Sequence, residues 1–454
     1  MRSVVQAVAG ETKQDPVEAL CISSHGETFV PVDDHLQPLG PAILNIDNRA
    51  VEQTNWLTTR LGLETIFEIT GLTPHPMYPV PKILWLRENQ KALYKAAAKF
   101  LGLIDYLLTR LGLPPSIDYS LASRFLAFDI RRHCWSDRIL SVCDLTPDQF
   151  AKPVPAGTIA GALAPAIASE LGLRAGTPVI VGGHDQPCTA LACAVTEKGS
   201  ACASLGTYEC LVTASETPPR QEIALPANLN TSCHIVPDRF VTLAYFPAGI
   251  MMEWFVRLLH PGRGPEGTTS EDYSSLESHV HAQPTGLCIL PHLIGTCNPD
   301  FNPHATGVIC GLRPETSRYD IYRGILEGIA CEFSSMTGLL QSAAGAFASM
   351  SVTGGGCRSR LGLQLRASLS GKQLQLMQSP DAVCLGSAIL SSVAIGKFAS
   401  FQQATQAMAK VVQRIDPDPA LAAAYELQVE QYRCLYGSLS PVREAQAAIH
   451  LQGG

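Results

Sequence analysis

Three glycine-bearing segments hold the residues of this chain that could do chemistry. In Pro178-Val-Ile-Val-Gly-Gly-His-Asp-Gln-Pro187 an apolar, β-branched run ends in Gly182 and Gly183, and His184, Asp185 and Gln186 follow. The run reads as a buried strand, and Pro187 with the Ala/Leu/Cys-rich stretch behind it reads as the start of a helix. The two glycines give the backbone freedom and leave no side chain in the way of a ligand. A carboxylate at such a turn stands at the carboxyl edge of a sheet, where open α/β sheets bind ligands. It would serve equally well as the cap of the helix. In Ser204-Leu-Gly-Thr207, Gly206 and Thr207 offer backbone N–H groups and a hydroxyl, the makings of a phosphate turn or of an ordinary hairpin. Gly354-Gly355-Gly356, with Ser359 ahead of a helix, permits a nucleotide to approach backbone and helix N-terminus closely. Glu27, beside Gly26, is either a solvated turn carboxylate or a group that binds hydroxyls. Together these segments suggest a phosphate cleft between two lobes.

The elements that must position them follow from the pattern along the chain. Met1–Gly10 reads as helix, Ala19–Ser24 and Thr28–Val32 as strands, and Pro41–Ile46 as a third strand ending at Asp47. Residues 50–112 read as helical throughout, including a core helix over Ala97–Leu111 that stops at Gly112. Pro153–Gly161 reads as a loop and Pro165–Leu173 as an amphipathic helix. After the Asp185 turn, Ser200–Val212 reads as two strands joined at Leu205-Gly-Thr207, opening a second β-then-α half. Gly262–Ser270 reads as an exposed loop, Arg313–Leu340 as one long helix, and Ser349–Arg360 as strand, glycine loop and helix start. Leu385–Ala394 is a helix of small residues suited to close packing, and Pro419–Leu439 is a C-terminal helix. The expected organisation is a first lobe over 1–198, a second over 199–440 and a tail over 441–454.

Composition narrows the function. At 454 residues, two or three domains are expected. A net charge of −7 gives no basic footprint, so nucleic acid is not an expected partner. No apolar run approaches the roughly 20 residues that span a bilayer, and the first ten residues do not make a signal peptide. Fifteen cysteines, scattered and without a C-x-x-C pair, read as reduced thiols in a cytoplasmic protein. H-E-x-x-H, the Walker phosphate loop and G-x-G-x-x-G do not occur in the sequence.

Taken in order, the motifs resemble those of the FGGY carbohydrate kinases, the group containing glycerol kinase, gluconokinase and xylulokinase. Ser23-Ser-His-Gly-Glu-Thr28 with Pro41–Ala50 resembles the first substrate segment, and Lys82-Ile-Leu-Trp-Leu-Arg-Glu-Asn89 the K-x-x-W-L-x-x-N helix. Gly182–Gln186 resembles the G-G-x-D-x catalytic turn, and Ser204–Thr207 the second phosphate motif. Gly295–Asp300, Gly307–Leu312, Glu327–Ala330, Gly354–Ser359 and Leu385–Ala388 follow in family order. The resemblance runs from about Ala19 to about Leu439.

It implies an α/β protein of the actin-like ATPase (ribonuclease H-like) fold, two lobes with a cleft between them. It implies ATP-dependent phosphorylation of a sugar or polyol hydroxyl, with magnesium. Asp185 would take the hydroxyl proton. Glu27, His25, Asn45 and Gln186 would bind the acceptor. Gly206 and Thr207 would hold the ATP phosphates, and Gly354, Gly355, Gly356 and Ser359 would line the adenosine pocket. No residue is assigned to the metal. Family members are often dimers, so the resemblance allows a homodimer, but no stretch marks an interface and the sequence does not determine the oligomeric state. Asn45 stands where glycerol kinase-like members carry Trp, and Ser359 where many carry Asn. The D-x-G-T-[ST] turn that opens the family pattern does not occur here, which implies a first lobe incomplete at its start. The second reading is therefore a non-catalytic carbohydrate-binding or regulatory relative.

Overall fold

The computed structural model describes residues 1–260, 269–439 and 441–442. The first lobe is laid around the strand that leads to Asp185. Helix α1 (Arg2–Glu11) leads into strand β1 (Leu20–Ser24) and strand β2 (Phe29–Val32). Helix α2 (Pro79–Asn89) carries the Lys82 motif, with Pro79 at its start, where a missing N–H is harmless. Strand β3 (Lys99–Gly102) pairs antiparallel with β2 and passes directly into helix α3 (Leu103–Arg110). A single turn, α4 (Tyr119–Ala122), is capped by Asp118, whose carboxylate accepts from the N–H groups of Ser120 and Leu121. Strand β4 (Ile159–Ala162) and strand β5 (Pro178–His184) complete a sheet of order β1-β5-β4 among the described residues, with β1 parallel to β5. Helix α5 (Asp185–Ala192) leaves from the end of β5.

The second lobe opens on four antiparallel strands. Strand β6 (Ala201–Leu205), strand β7 (Tyr208–Ser215), strand β8 (Asn230–Cys233) and strand β9 (Phe240–Pro247) are antiparallel neighbours in the order β8-β9-β7-β6. The buried 27-residue helix α6 (Arg318–Ala344) starts at a capping box of Ser317 and Asp320. Strand β10 (Ser349–Thr353) lies parallel to β6, helix α7 (Arg360–Ser370) follows the triple glycine, and strand β11 (Gln373–Met377) is parallel to β10. Helix α8 (Ala382–Ala394), strand β12 (Val411–Ile415) and helix α9 (Pro419–Ser438) close the lobe. Each lobe has its own apolar core, one around Phe29, Phe100, Phe128 and Val181, the other around Phe246, Phe333, Ile325 and Met350.

Strand β8 and helix α8 are two of the places where the lobes meet; at another, Ser351 Oγ donates to Cys193 O at 3.1 Å. Strand β8 reaches across to the first lobe, where Thr231 N–H donates to Gly71 O at 2.8 Å and Cys233 N–H to Ser123 Oγ at 3.3 Å. Helix α8 lies against α5, and Cys188, Leu191, Ile235, Ile389, Leu390 and Ala404 form the apolar cluster between them. The crossing is close because Gly386 has no side chain: a Cβ there would stand 1.9 Å from Cys188 O.

Three segments differ from the sequence expectation. Pro41–Ile46 forms only a bridge, Ile43 to Phe29, and then turns at Asn45–Ile46, because the Asn45 N–H goes to Thr28 Oγ1 and Leu44 O to Lys82 Nζ. The expected helix over Ala97–Leu111 begins as β3, since Phe100 and Leu101 are buried in strand pairing before Gly102 and Asp105 start α3. Pro153–Gly161 is not only loop: strand Lys152–Val154 and β4 arise there, β4 completing the sheet beside β5. Residues 262–268 of the expected exposed loop, and nearly all of the expected tail, lie outside the described residues.

Candidate active site

The Gly182–Gln186 turn is built by close packing rather than by open space. Strand β5 runs on through both glycines to His184. A Cβ on Gly182 would sit 1.9 Å from Ile22 O of β1, and one on Gly183 would sit 2.3 Å from Ile235 Cγ2. The glycines therefore let β1 and the second lobe approach, a different reason from the expected clearance for a ligand. Asp185 is the first residue of α5, and His184 occupies the cap position, so Asp185 is not the helix cap. Its side chain keeps 31% of its surface. Burial pushes its carboxyl above the ordinary range, against the pull of the Gln186 backbone N–H, Arg124 and His25. His184 Nε2 lies 3.2 Å from Asp185 Oδ1. Gln186 Oε1 is buried and has no hydrogen-bond partner.

The expected acceptor residues cluster beside this turn. His25 Nε2 and Thr28 Oγ1 are 2.9 Å apart, and Thr28 Oγ1 accepts from the backbone N–H of Asn45 at 3.0 Å. Glu27 is neither solvated nor free: it is buried, takes a φ of +61°, and is paired with Arg124 Nε. Gly26 makes room for that arginine, since a Cβ would stand 2.7 Å from Arg124 Cγ. Arg124 in turn lies over the Tyr78 ring, 5.4 Å from its centroid. Lys82 has no exposed surface and donates to Glu27 O at 2.9 Å and Leu44 O at 2.8 Å, tying the two acceptor segments together. Burial lowers its ammonium to about 8, with Glu27 and Asp47 pulling the other way. Asp47 holds Arg49 in an ion pair, and Arg49 stacks on Trp85 at 4.7 Å.

The expected nucleotide residues line a cleft of about 400 Å³ in the second lobe, among them Gly206, Thr207, Gly355, Gly356 and Ser359. Gly206 turns between β6 and β7. A Cβ on Gly355 would meet nothing, so this glycine leaves space in the cleft, whereas Gly354 stands outside the lining and takes φ +99° against Leu205 O. Ser359 Oγ accepts from Gly362 N–H at 2.8 Å and so caps α7. Glu209 and Arg366 form a buried pair at the base of the cleft, Arg366 Nε donating to Glu209 Oε2 at 3.0 Å. Glu277 accepts from the Leu361 N–H at 2.9 Å at the start of α7.

Sequence reasoning placed Asp185, Gln186, Glu27, His25 and Asn45 in one region and the glycine turns in another. It missed Arg124, 97 residues from Glu27, and the Glu209–Arg366 pair, 157 residues apart. No local pattern links such partners. Lys82 was visible in its motif, but nothing in the motif says that its ammonium ends on carbonyls.

The sequence matches the FGGY family of carbohydrate kinases, N-terminal domain, over residues 1–192 and the C-terminal domain of that family over residues 201–395. The chain belongs to the FGGY family of carbohydrate kinases. It is a phosphotransferase whose acceptor is an alcohol group of a sugar or polyol. It is 28% identical over 445 residues to a xylulose kinase of Escherichia coli (strain K12), covering 96% of this chain and 88% of that one. It is 26% identical over 412 residues to a gluconokinase of Bacillus subtilis (strain 168), covering 88% and 79%. The solved structure of xylulose kinase from Rhodospirillum rubrum matches with a TM-score of 0.85 at 24% identity, over 98% of this chain and 90% of that chain. The fold is the two-lobed actin-like ATPase fold.

Proposed function

We propose that the protein transfers the γ-phosphoryl group of ATP to a hydroxyl of a small sugar or polyol, with Asp185 as the base. The observation that carries this reading is the Asp185 carboxylate. It stands at the carboxyl end of β5, partly open, with burial raising its affinity for a proton. Gln186 Oε1, buried without a partner, accepts from an acceptor hydroxyl. His25, Asn45 and Glu27 bind the others, and the pairing with Arg124 leaves Glu27 oxygen to accept while holding it in place. Buried groups of this kind discriminate strongly, because an acceptor lacking the matching hydroxyl leaves them unpaired.

The cleft between Gly206-Thr207 and Gly355-Gly356 fits a nucleotide, since Gly355 opens it and the Gly206-Thr207 turn lines it. ATP with magnesium would supply the phosphoryl group and neutralise its charge. Among the described residues no cluster of three or more His, Cys, Asp or Glu is placed to hold a metal. An ion bound mainly through phosphate oxygens and water suits such a site. Residues of the two lobes orient acceptor and donor, and lobe closure excludes water. We place the enzyme in the cytoplasm, where its fifteen free cysteines stay reduced. Among the described residues no helix is long and apolar enough to cross a membrane.

The relatives' names make xylulose and gluconate the first acceptors to test, with glycerol as a third. Each is offered with MgATP while ADP release is followed. Acceptor-dependent ADP release supports the reading, and release that ignores the acceptor contradicts it.

A further inference from the structure

Strand β9 of the second lobe presents one side chain to which the proposed reaction gives no part. Seven of its eight residues are buried, and Tyr245 alone is only half-buried. The strand is pinned at that point. The Tyr245 N–H donates to Asn298 Oδ1 at 3.0 Å, and its carbonyl accepts from the Asn298 N–H at 3.2 Å. The ring is flanked edge to face by Phe301, 5.5 Å away between centroids, and by Tyr208 at 6.4 Å. Among the described residues its hydroxyl has no hydrogen-bond partner.

Strand register decides which way the ring goes. Tyr245 stands directly opposite Cys210 of β7, and residues paired in this way share one face of the sheet. That face packs towards helix α5. Cys210 belongs to one apolar cluster with Ala190 of α5 and Cys193 just beyond it, and Tyr245 rests against the same cluster. Asp185 is the first residue of that helix. The electrostatics agree with the register. Burial raises the Tyr245 phenol well above its ordinary 10, Cys297, Tyr78 and Glu27 pushing the same way and Arg124 against them. Burial also raises the Cys210 thiol, with Asp185 adding to it and Arg124 opposing. A second-lobe phenol thus stands within electrostatic reach of the Glu27–Arg124 pair of the first lobe.

We propose that Tyr245 is a specificity-determining residue of the acceptor site: its hydroxyl donates to an oxygen of the sugar or polyol from the second lobe, while Glu27, His25 and Asn45 hold other oxygens from the first. The proposal rests on the reading that the acceptor binds beside Asp185. The chemistry of the group suits the role. An ionised Glu27 can only accept, and the Arg124 beside it is already paired, so an acceptor held there still needs a free donor. A phenol that keeps its proton supplies one. The ring is wedged between Phe301 and Tyr208, so little side-chain freedom is lost when the acceptor arrives. Tyr245 takes no part in the proton transfer and leaves that to Asp185.

The test compares Tyr245→Phe, Tyr245→Leu and Asp185→Asn with the wild type, using MgATP and xylulose, gluconate or glycerol. Tyr245→Phe keeps the ring and removes only the hydroxyl. It is expected to raise KM for the preferred acceptor by about 5- to 10-fold, the scale of one lost hydrogen bond. The affinity for a non-hydrolysable ATP analogue, measured calorimetrically without acceptor, stays within about twofold, and the urea midpoint does not move. The preference among the three acceptors narrows, because the loss falls on the one whose oxygen Tyr245 held. Tyr245→Leu, which removes the ring as well, weakens the acceptor at least as much. An acceptor KM that does not move in Tyr245→Phe, or an equal loss for every acceptor and for the nucleotide, would overturn the proposal. Turnover with none of the three acceptors would overturn it together with the kinase reading. If Asp185→Asn keeps its turnover, the base reading falls whatever Tyr245 does. If Asp185→Asn is inactive while Tyr245→Phe behaves as wild type, only the role of Tyr245 falls.

Discussion

An ammonium group with no exposed surface has to be held by something, and Lys82 is held by the carbonyls of Glu27 and Leu44. Those carbonyls belong to the two segments that carry Glu27 and Asn45, so the lysine sets the spacing of the proposed acceptor site. Lys82→Met should cost about 1–3 kcal/mol in urea unfolding, the penalty for leaving buried acceptors unpaired. It should also raise KM for the acceptor more than KM for ATP. Asp185→Asn should lower turnover by about 10²–10⁴-fold while acceptor binding, measured calorimetrically, stays within a few-fold. A third residue sets a pH dependence. His234 Nδ1 accepts from Ile235 N–H at 2.8 Å and Nε2 donates to Val195 O at 2.7 Å, so the neutral ring is fully used. Burial holds it at about 4, below the ordinary 6.5. A proton therefore binds the unfolded chain better, and the stability His234 contributes is present above about pH 6.5 and lost as pH falls towards 4. The stability difference between wild type and His234→Gln should shrink by about 2 kcal/mol between pH 7 and 4.5. A pH-independent difference would contradict the assignment. At this scale the sequence pointed to the residue types proposed to carry the chemistry. It did not show which of them are paired, because Arg124 and Glu27 meet only after folding.

At the scale of elements, the glycines of the Gly182–Gln186 turn were legible as glycines and misread as clearance. Gly182 and Gly386 each face a backbone carbonyl so closely that a methyl group would overlap it. Gly182→Ala and Gly386→Ala should each cost about 3 kcal/mol or more in thermal or urea unfolding, at the upper end of overpacking effects. Loss of less than about 1 kcal/mol would mean that the strands and helices part easily. Strand β3 escaped notice because Phe100 and Leu101 fit a helical spacing as well as a strand, and only pairing with β2 decides. The pair of Glu209 and Arg366 joins the phosphate turn to α7, and its two halves lie on different elements. Arg366→Met should leave Glu209 buried without a partner and cost about 3–5 kcal/mol. ATP affinity, read by titration, should weaken with it.

In the proposed reading the acceptor site lies at the end of β5 and the nucleotide cleft at the β6–β7 turn, one in each lobe. The lobes are joined where α8 crosses α5 and where β8 reaches the first lobe. Two α/β halves and their order were legible from the repeated pattern of strand, glycine turn and helix. The crossing of α8 onto the first lobe was not, because it depends on a contact between Gly386 and Cys188, which are far apart in sequence. Phosphoryl transfer between two sites on different lobes is the central claim. It is tested most directly by 31P NMR of the protein with MgATP and each of xylulose, gluconate and glycerol. A new phosphate-ester signal is expected with one acceptor, growing in step with ADP and absent with Asp185→Asn. Inorganic phosphate as the sole product, or an ester signal that survives Asp185→Asn, would contradict it.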